Sequence, residues 1–404
     1  MMDIKKEQLD FLDWEFGGFF HFGIRTFYEG HRDWDMKPMA LSAFDPAELD
    51  CEEWIRTLYE AGAKYAVLVC KHHDGFANWP SAYTEYSVRN TPWKDGHGDV
   101  VDQFTKACRK YNLKVGLYYS PAQFGSAKLS AKEYDDYFIN QIRELLTHYG
   151  TIDYLWFDGC GSEGHQYDTE RIVKEIRACQ PQILLFNMWD PDTRWVGNEA
   201  GVAHSPNYLT VNDLDFSVLT TDKDALERAK FLPAECDCRM RLSNWFYSDQ
   251  DADTVKSVDE LMGLYYYSVG RGANLLINIG PDRRGKLPDA DKAALLAFGE
   301  AIRKLNRSSL EYQAEHTENK TTLTMEQRLV NHVILSEAIT GDEIAHFEIR
   351  VYPYPYGAPV TVYRGTTVGH KAICAFPTVR TAKVEIVFDK AKAVTAQLKY
   401  VPLY

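Results

Sequence analysis

Two short segments, KHHDGF at 71–76 and DG at 158–159, combine side chains that could carry out chemistry. Each segment directly follows an apolar run, at 65–69 and at 154–157. Imidazole and carboxylate groups of this kind are typical of general acid–base catalysis, nucleophilic catalysis or metal binding. The sequence therefore predicts a site that is built from strand ends.

The adjacent residues His72 and His73 allow three interpretations. They could bind a metal ion, although no further His or Cys follows at the spacing of a metal site. They could lie in a surface turn without a functional role. They could instead hydrogen-bond the hydroxyl groups of a sugar, together with His21 in FHFG at 20–23, because the carboxyl ends of barrel strands face the active site.

Asp158 ends a predicted strand that also carries Trp156. Side chains alternate along a strand, so the indole and the carboxylate point to the same side. This pair suits the apolar face of a sugar and its anomeric carbon. The alternative is that Asp158 only caps the next helix.

A second carboxyl group is needed if the site hydrolyses glycosides with retention, since that reaction uses two carboxyl groups about 5–5.5 Å apart. Glu199 and Glu235 are the candidates, and both lie in segments that are predicted as loops. Aromatic neighbours such as Trp195 or Trp245 would disfavour the ionised form and raise the pKa, as a general acid requires. The residues alone leave both candidates open.

Strand and helix patterns alternate from the start of the chain to about residue 305, as in βα units around a parallel sheet. Strands are predicted at 18–22, 65–69, 115–119, 154–157, 183–186 and 274–279. Helical spacing occurs at 51–59, capped by Asp50, and at 100–111, while Ser130 and Glu133 form a capping box before a helix that ends near His148. A last helix is predicted at 290–305. We expect 190–250 to form long active-site loops, because its periodicity is weak.

After this helix the pattern changes to alternating strands, at 321–324, 332–336, 345–351, 360–363, 383–388 and 396–400. The fold class is therefore predicted as α/β, with a (β/α)8-like barrel domain at 1–308 and a C-terminal antiparallel β-sandwich at 309–404. The second domain is expected to be structural, although exposed tyrosines at 352, 354 and 356 also allow glycan binding.

The composition excludes several classes of protein. The formal net charge of the 404 residues is −13 and no basic block occurs, so we expect no nucleic acid partner. The sequence contains no apolar run of about 18 residues, so we expect no contact with a membrane. Eight scattered cysteines without a CxxC pair are typical of reduced thiols, so a cytoplasmic location is expected, or a secreted or periplasmic one if a signal peptide has been removed.

Taken together, the motifs resemble those of the glycoside hydrolase family 29 α-L-fucosidases. The motifs, in order, are FHFG at 20–23, KHHDGF at 71–76, PWKDGHGD at 92–99, GLYYSP at 116–121, LWFDG at 155–159, RWVGNE at 194–199 and NLLINIGPDRRG at 274–285. The resemblance implies a barrel followed by a β-sandwich, a retaining mechanism and no metal or organic cofactor. It also implies fucosylated oligosaccharides or glycoconjugates as the partners, and it leaves the oligomeric state open.

The resemblance also implies roles for particular residues. Asp158 would be the nucleophile, and Glu199, which closes RWVGNE as in the subgroup acting on α-1,3/1,4-linked fucose, would be the acid/base, with Glu235 in reserve. The implied fucose pocket consists of His21, Trp34, His72, His73, Tyr118, Trp156, Arg239 and Trp245. Packing roles remain the alternative for Trp34 and Tyr118. Ala122-Gln123 departs from the Trp-Asp-like pair of the family, which bears on the linkage preference.

Three competing functions remain at this stage. The first is an α-L-fucosidase of broad specificity. The second is a catalytically silent fucose-binding protein, against which the presence of both Asp158 and Glu199 argues. The third is a metal-dependent barrel hydrolase with His21, His72, His73 and Asp158 as ligands.

Overall fold

The computed structural model describes residues 4–30, 39–122, 129–162, 164–215, 223–339, 344–354, 356–392 and 394–402. Ten strands precede residue 280: β1 Phe16–Phe20, β2 Tyr65–Lys71, β3 Lys114–Tyr119, β4 Tyr154–Phe157, β5 Leu184–Phe186, β6 Arg194–Trp195, β7 Thr210–Asp215, β8 Lys223–Phe231, β9 Ala234–Arg239 and β10 Asn274–Asn278. The helices of this part are α1 Lys6–Leu12, α2 Cys51–Ala61, α3 Val100–Lys110, α4 Ala131–His148, α5 Thr169–Cys179, α6 Val258–Tyr267 and α7 Asp289–Arg307.

Eight of these strands form one parallel sheet in the order β5-β4-β3-β2-β1-β10-β9-β6. A single isolated parallel bridge between Phe186 and Thr193 joins the two ends, β5 and β6, so the sheet is a nearly closed barrel. Every residue of β2, β4 and β10 is buried, as expected for strands with helices on one side and the barrel interior on the other. The predicted barrel fold is confirmed.

The start signals of the helices agree with the sequence. The side chain of Asp50 accepts a hydrogen bond from the backbone N–H of Glu53, which places α2 as predicted. Ser130 and Glu133 form the predicted capping box, and α4 ends at His148. These caps satisfy backbone donors that a helix cannot pair within itself.

The prediction of loops throughout 190–250 is wrong, because β6 to β9 lie in this segment and two of them, β6 and β9, are barrel strands. Strand β9 has the sequence AECDCR, in which polar and apolar side chains alternate. Its polar residues point into the barrel, where a strand of a parallel sheet is normally apolar. The sequence of β9 therefore lacks the continuous apolar run by which the other barrel strands were predicted. The antiparallel pair β7 and β8 extends from the barrel.

The interior of the barrel is filled mainly by aromatic side chains. Phe11 in α1 and Trp14 just after it pack on Tyr65 and Tyr154 from the amino-terminal end of the strands. Phe19 packs beyond them, towards the carboxyl end. The barrel is therefore closed below and can hold a pocket only at its carboxyl end.

The C-terminal sheet is antiparallel, with strands β11 Gln313–Thr317, β12 Lys320–Glu337, β13 Phe347–Val351, β14 Val360–Gly365, β15 Ala372–Phe388 and β16 Val394–Lys399. Two predicted strands, 321–324 and 332–336, are parts of the single strand β12. Register shifts between Thr324 and Arg328 and between Val330 and His332 interrupt its alternation, which explains the division in the prediction. Helix α7 ends at Arg307, and the predicted domain boundary after 308 stays a prediction.

The C-terminal sheet contacts the amino-terminal end of the barrel. The N–H of Ile373 donates to the carbonyl of Gly270 at 3.0 Å, and Lys371 forms an ion pair with Glu15 at 2.5 Å. Ile373 also belongs to the hydrophobic core of the barrel. This contact lies at the opposite end from the barrel's pocket.

No helix among the described residues is long and apolar enough to cross a membrane.

Candidate active site

A pocket of about 640 Å³ opens at the carboxyl end of the barrel strands. It is lined by Phe19, His21, His72, His73, Tyr118, Trp156, Phe157, Asp158, Gly159, Cys160, Phe186, Asn187, Trp195, Glu199, Asp237 and Trp245. Several of these residues follow directly from strand ends, which is where barrel enzymes place their active sites.

Asp158 is held in the pocket by three hydrogen-bonding groups. Tyr118 donates its hydroxyl to Oδ2 at 2.7 Å, and the backbone N–H of Cys160 donates to Oδ1 at 2.9 Å. The Nε2 atom of His73 lies 3.4 Å from Oδ2. Burial works to raise the pKa of Asp158, but His73, Tyr118 and the Cys160 N–H outweigh it and lower the pKa below its usual value. The group therefore stays ionised at neutral pH.

The three histidines are buried around this carboxylate. Burial lowers the pKa of His21 to about 3, and it lowers the pKa of His72 well below its usual value. Both rings are therefore neutral and offer one donor and one acceptor each. His21 Nδ1 lies 2.7 Å from Oδ1 of Asn278, whereas His72 Nδ1 has no hydrogen-bond partner among the described residues. A buried ring atom of this kind is suited to a ligand hydroxyl.

His73 is fixed by a chain of hydrogen bonds. Its Nδ1 lies 2.5 Å from Oγ of Ser120, and the Ser120 hydroxyl donates to the carbonyl of Ala122 at 2.9 Å. The other ring nitrogen, Nε2, faces Oδ2 of Asp158. Buried Lys71 also donates to the Ala122 carbonyl, at 3.2 Å. Ala122 thus anchors the His73 side of the pocket, while its neighbour at 123 lies outside the described residues.

Aromatic rings form the walls. Trp156 stacks on Phe186 with ring centroids 4.1 Å apart and on Tyr118 at 5.4 Å. Trp245 lies beside His21, with ring centroids 4.9 Å apart. Such faces can pack against the apolar side of a sugar ring.

Glu199 and Glu235, the two candidates for the second carboxyl group, lie in different surroundings. Glu199 lines the pocket with a side chain that is 35% exposed, and its Oε2 lies 3.9 Å from Nη1 of Arg239. Glu235 is fully buried beneath the pocket and does not line it. It accepts hydrogen bonds from Tyr65 at 2.6 Å and from Trp156 Nε1 at 2.8 Å.

A metal-binding arrangement is partly present. Ligand atoms of His72, His73 and Asp158 lie within 4.8 Å of one another. However, both oxygens of Asp158 already accept hydrogen bonds, and His21, the fourth proposed ligand, is not part of this group. The contacts fit a hydrogen-bonded carboxylate better than a metal ligand.

Most residues that the sequence singled out come together in this pocket. Arg239 lies next to it, with its guanidinium 5.3 Å from the ring of Trp245. Trp34 lies outside the described residues. The sequence reasoning missed Asp237, Asn187 and Phe186 as lining residues. Asp237 was missed because β9 was not recognised; with that strand in place, alternation puts it on the same face as Glu235.

Comparison with known proteins agrees with this geometry. The alpha-L-fucosidase family matches residues 2–306. Alpha-L-fucosidase 1 of Arabidopsis thaliana is 30% identical over 441 residues, which cover 97% of this chain and 86% of the relative. The crystal structure of a glycoside hydrolase 29 family member from an unknown rumen bacterium has a TM-score of 0.90 at 31% identity and covers 100% of this chain and 78% of that one. The crystal structure of SpGH29 has a TM-score of 0.89 at 28% identity, with 99% of each chain covered. With its barrel, its pocket and these matches, the chain belongs to the α-L-fucosidases of glycoside hydrolase family 29.

Proposed function

We propose that this α-L-fucosidase removes terminal α-1,3/1,4-linked fucose from Lewis-type oligosaccharides with retention of configuration, with Asp158 as nucleophile and Glu199 as acid/base. The observation that carries the proposal is that Asp158 and Glu199 line the same pocket, whereas Glu235 lies beneath it. Retention needs two carboxyl groups on opposite sides of one anomeric carbon.

The surroundings of Asp158 support its role. A nucleophilic carboxylate must be ionised, and the lowered pKa of Asp158 keeps it so. The hydrogen bonds from Tyr118 and Cys160 fix the orientation of its carboxylate in the pocket. Neutral His21 and His72 are suited to bind the hydroxyl groups of fucose without adding charge.

The reaction would proceed in two steps. Asp158 attacks the anomeric carbon while Glu199 gives its proton to the departing oxygen, so a fucosyl-enzyme ester forms and the aglycone leaves as an alcohol. Water then attacks the same carbon, Glu199 takes its proton, and the ester bond to Asp158 breaks. Fucose leaves with its original configuration.

The linkage preference is supported by the motif RWVGNE at 194–199, whose last residue is Glu199. The partial exposure of Glu199 at the mouth of the pocket fits a residue that meets the leaving group. A branched glycan would then lie across this mouth with only its fucose inside.

The test is fucose release from a Lewis-type trisaccharide, a 2-linked fucosyl-lactose and an aryl fucoside. Asp158→Asn should lose activity on the order of 10⁴-fold, whereas the control Asp102→Asn, on the exposed surface of α3, should match the native enzyme. Release from the trisaccharide and not from fucosyl-lactose supports the proposal. Equal release from both contradicts the linkage preference, and no release from any substrate contradicts catalysis and indicates a silent binder.

The acid/base role is tested separately. Glu199→Ala should lose activity mainly on substrates with poor leaving groups, and azide should restore turnover by giving a fucosyl azide. Rescue of Glu235→Ala by azide, without rescue of Glu199→Ala, would contradict the assignment. Full activity in a chelator, with no bound metal in the purified protein, is expected because no step uses a metal ion.

A further inference from the structure

A third carboxyl group, that of Asp237, lines the pocket and has no part in the reaction described above. Its side chain is only 3% exposed, and Trp195 Nε1 donates to its Oδ1 at 2.7 Å. A buried carboxyl group with so few donors is costly as a carboxylate. Its place in the pocket therefore calls for an explanation.

Alternation along β9 places three ionisable groups on the inner face of the barrel. Glu235 lies deepest, Asp237 lies in the pocket and Arg239 lies at its mouth. Because the strand is parallel to its neighbours on both sides, this order is fixed by its register with β10. The chain thus positions Asp237 between a buried carboxyl group and a cation.

The loop that carries Glu199 packs directly on β9. Ala200 forms an antiparallel bridge with Cys238, the residue between Asp237 and Arg239. Gly201 has φ +74°, a left-handed conformation that favours glycine, and a Cβ atom there would lie 3.1 Å from Cβ of Cys238, closer than most Cβ contacts. This contact holds the loop of Glu199 against the part of β9 that carries Asp237 and Arg239, and Oε2 of Glu199 lies 3.9 Å from Nη1 of Arg239.

Several charged or titratable groups surround Asp237. They are Glu235 and Arg239 on β9, Glu199 on the loop after β6, Asp158 at the end of β4, and His21, His72 and His73 at the ends of β1 and β2. Burial raises the pKa of Asp237 well above its usual value, and the charge of Glu199 adds to this; the Trp195 N–H opposes both without outweighing them. Asp237 and Glu199 therefore influence each other's ionisation.

We propose that Asp237 and Glu199 share one proton, and that Asp237 is a positioning residue that keeps this proton available to Glu199 for the leaving oxygen. The inference rests on the proposed role of Glu199. The active form of the pair holds a single proton, which leaves from Glu199 to the aglycone oxygen in the first step. Both carboxyl groups are then ionised until water returns a proton to Glu199 in the second step.

The sharing has a defined consequence for the pH profile. Loss of the last proton leaves two negative charges side by side, so the pair keeps this proton to a higher pH than Glu199 would alone beside Arg239. Asp237→Asn keeps an oxygen acceptor for Trp195 but carries no charge. The basic limb of kcat/KM should therefore move to lower pH by about one unit in this variant.

The measurement is the pH profile of kcat/KM for a Lewis-type trisaccharide and for an aryl fucoside with a good leaving group. The shift should occur with the trisaccharide and be small with the aryl fucoside, because only the first needs a proton from Glu199. Trp195→Phe is the matched control. It removes the hydrogen bond and keeps every charge, so it should change the magnitude of kcat/KM without moving the basic limb to lower pH.

The outcomes separate this inference from the proposed function. If azide rescues Glu199→Ala and the basic limb of Asp237→Asn stays in place, proton sharing is wrong and Asp237 only supports Trp195. If Asp237→Ala is the variant that azide rescues, Asp237 is itself the acid/base and both proposals are wrong. A shift with Asp237→Asn together with rescue of Glu199→Ala supports both.

Discussion

Asp158 and Asp237 are two aspartates of one pocket whose pKa values move in opposite directions. Burial by itself would raise the pKa of both groups. Asp158 receives a phenol O–H, a backbone N–H and the nearby His73, whereas Asp237 receives one indole N–H and faces Glu199. The number of donors and the sign of the nearest charge therefore decide which group is a carboxylate at neutral pH.

Removal of the His73 ring should test most directly how neighbouring groups set the pKa of Asp158. His73→Asn takes away the ring that faces Oδ2 of Asp158, so the pKa of Asp158 should rise. Since the proposed nucleophile acts in its ionised form, the acidic limb of kcat/KM should move upward by about one pH unit. The measurement is the pH profile of kcat/KM for an aryl fucoside between pH 3 and pH 8.

The control for this change is His165→Asn. His165 pairs with Asp135 outside the pocket, so its replacement should leave the acidic limb in place. An unchanged acidic limb in His73→Asn would mean that Tyr118 and the Cys160 N–H alone keep Asp158 ionised.

At the scale of elements, the barrel strands differ in how readily the sequence reveals them. β2 and β4 are continuous apolar runs that end in functional residues, so both the strands and Asp158 could be predicted. β9 places Glu235, Asp237 and Arg239 inside the barrel, and its polar pattern is that of a surface segment. The hydrogen-bond donors that stabilise Glu235 inside the barrel belong to Tyr65 and Trp156. Both residues are distant from β9 in the chain, so no local sequence pattern contains them.

The deep carboxyl group of β9 should also leave a mark on stability. Burial raises the pKa of Glu235 from 4.5 to about 7, and its hydrogen bonds from Tyr65, Trp156 and Tyr154 only partly oppose this. The protonated group stabilises the fold fully below pH 4.5, and this contribution is lost as the pH rises through about 7. Glu235→Gln is neutral at every pH, so it should not show this loss of stability.

The free energy of unfolding of Glu235→Gln, taken relative to that of the native protein, should therefore increase by up to about 3 kcal/mol between pH 5 and pH 8. Urea unfolding at both pH values measures this difference. A constant difference between the two proteins would show that Glu235 has the same protonation state in the folded and the unfolded chain.

For the whole molecule, the contact between barrel and C-terminal sheet agrees with the structural role expected for the second domain. Ile373 is 4% exposed and packs into the core of the barrel, far from the pocket. The residues that line the pocket all lie between 19 and 245. The sequence showed both units, but their docking depends on contacts such as that of Ile373 with Gly270, which are distant in the chain.

Ile373→Asp should therefore destabilise the enzyme without changing substrate binding. A carboxylate buried against the barrel should lower the free energy of unfolding by about 3 kcal/mol or more. KM for an aryl fucoside, measured below the unfolding temperature, should stay unchanged. Thermal unfolding and kinetics of Ala375→Asp, an exposed position on the same strand β15, provide the control; a raised KM in Ile373→Asp alone would indicate coupling between sheet and pocket.

The barrel is closed by one bridge, between Phe186 and Thr193, whereas the other neighbouring strands pair through continuous ladders. Asp158 follows β4 on one side of this seam, and Glu199 follows β6 on the other. The spacing between the two carboxyl groups is therefore set across this seam, where the N–H of Thr193 donates to the carbonyl of Leu185 and the N–H of Asn187 donates to the carbonyl of Thr193. Inverting glycosidases differ from retaining ones in a wider spacing, about 6.5–9.5 Å. The connection at 187–192 thus lies where a change in length would alter the spacing of the two carboxyl groups, and with it the stereochemical course that this spacing permits.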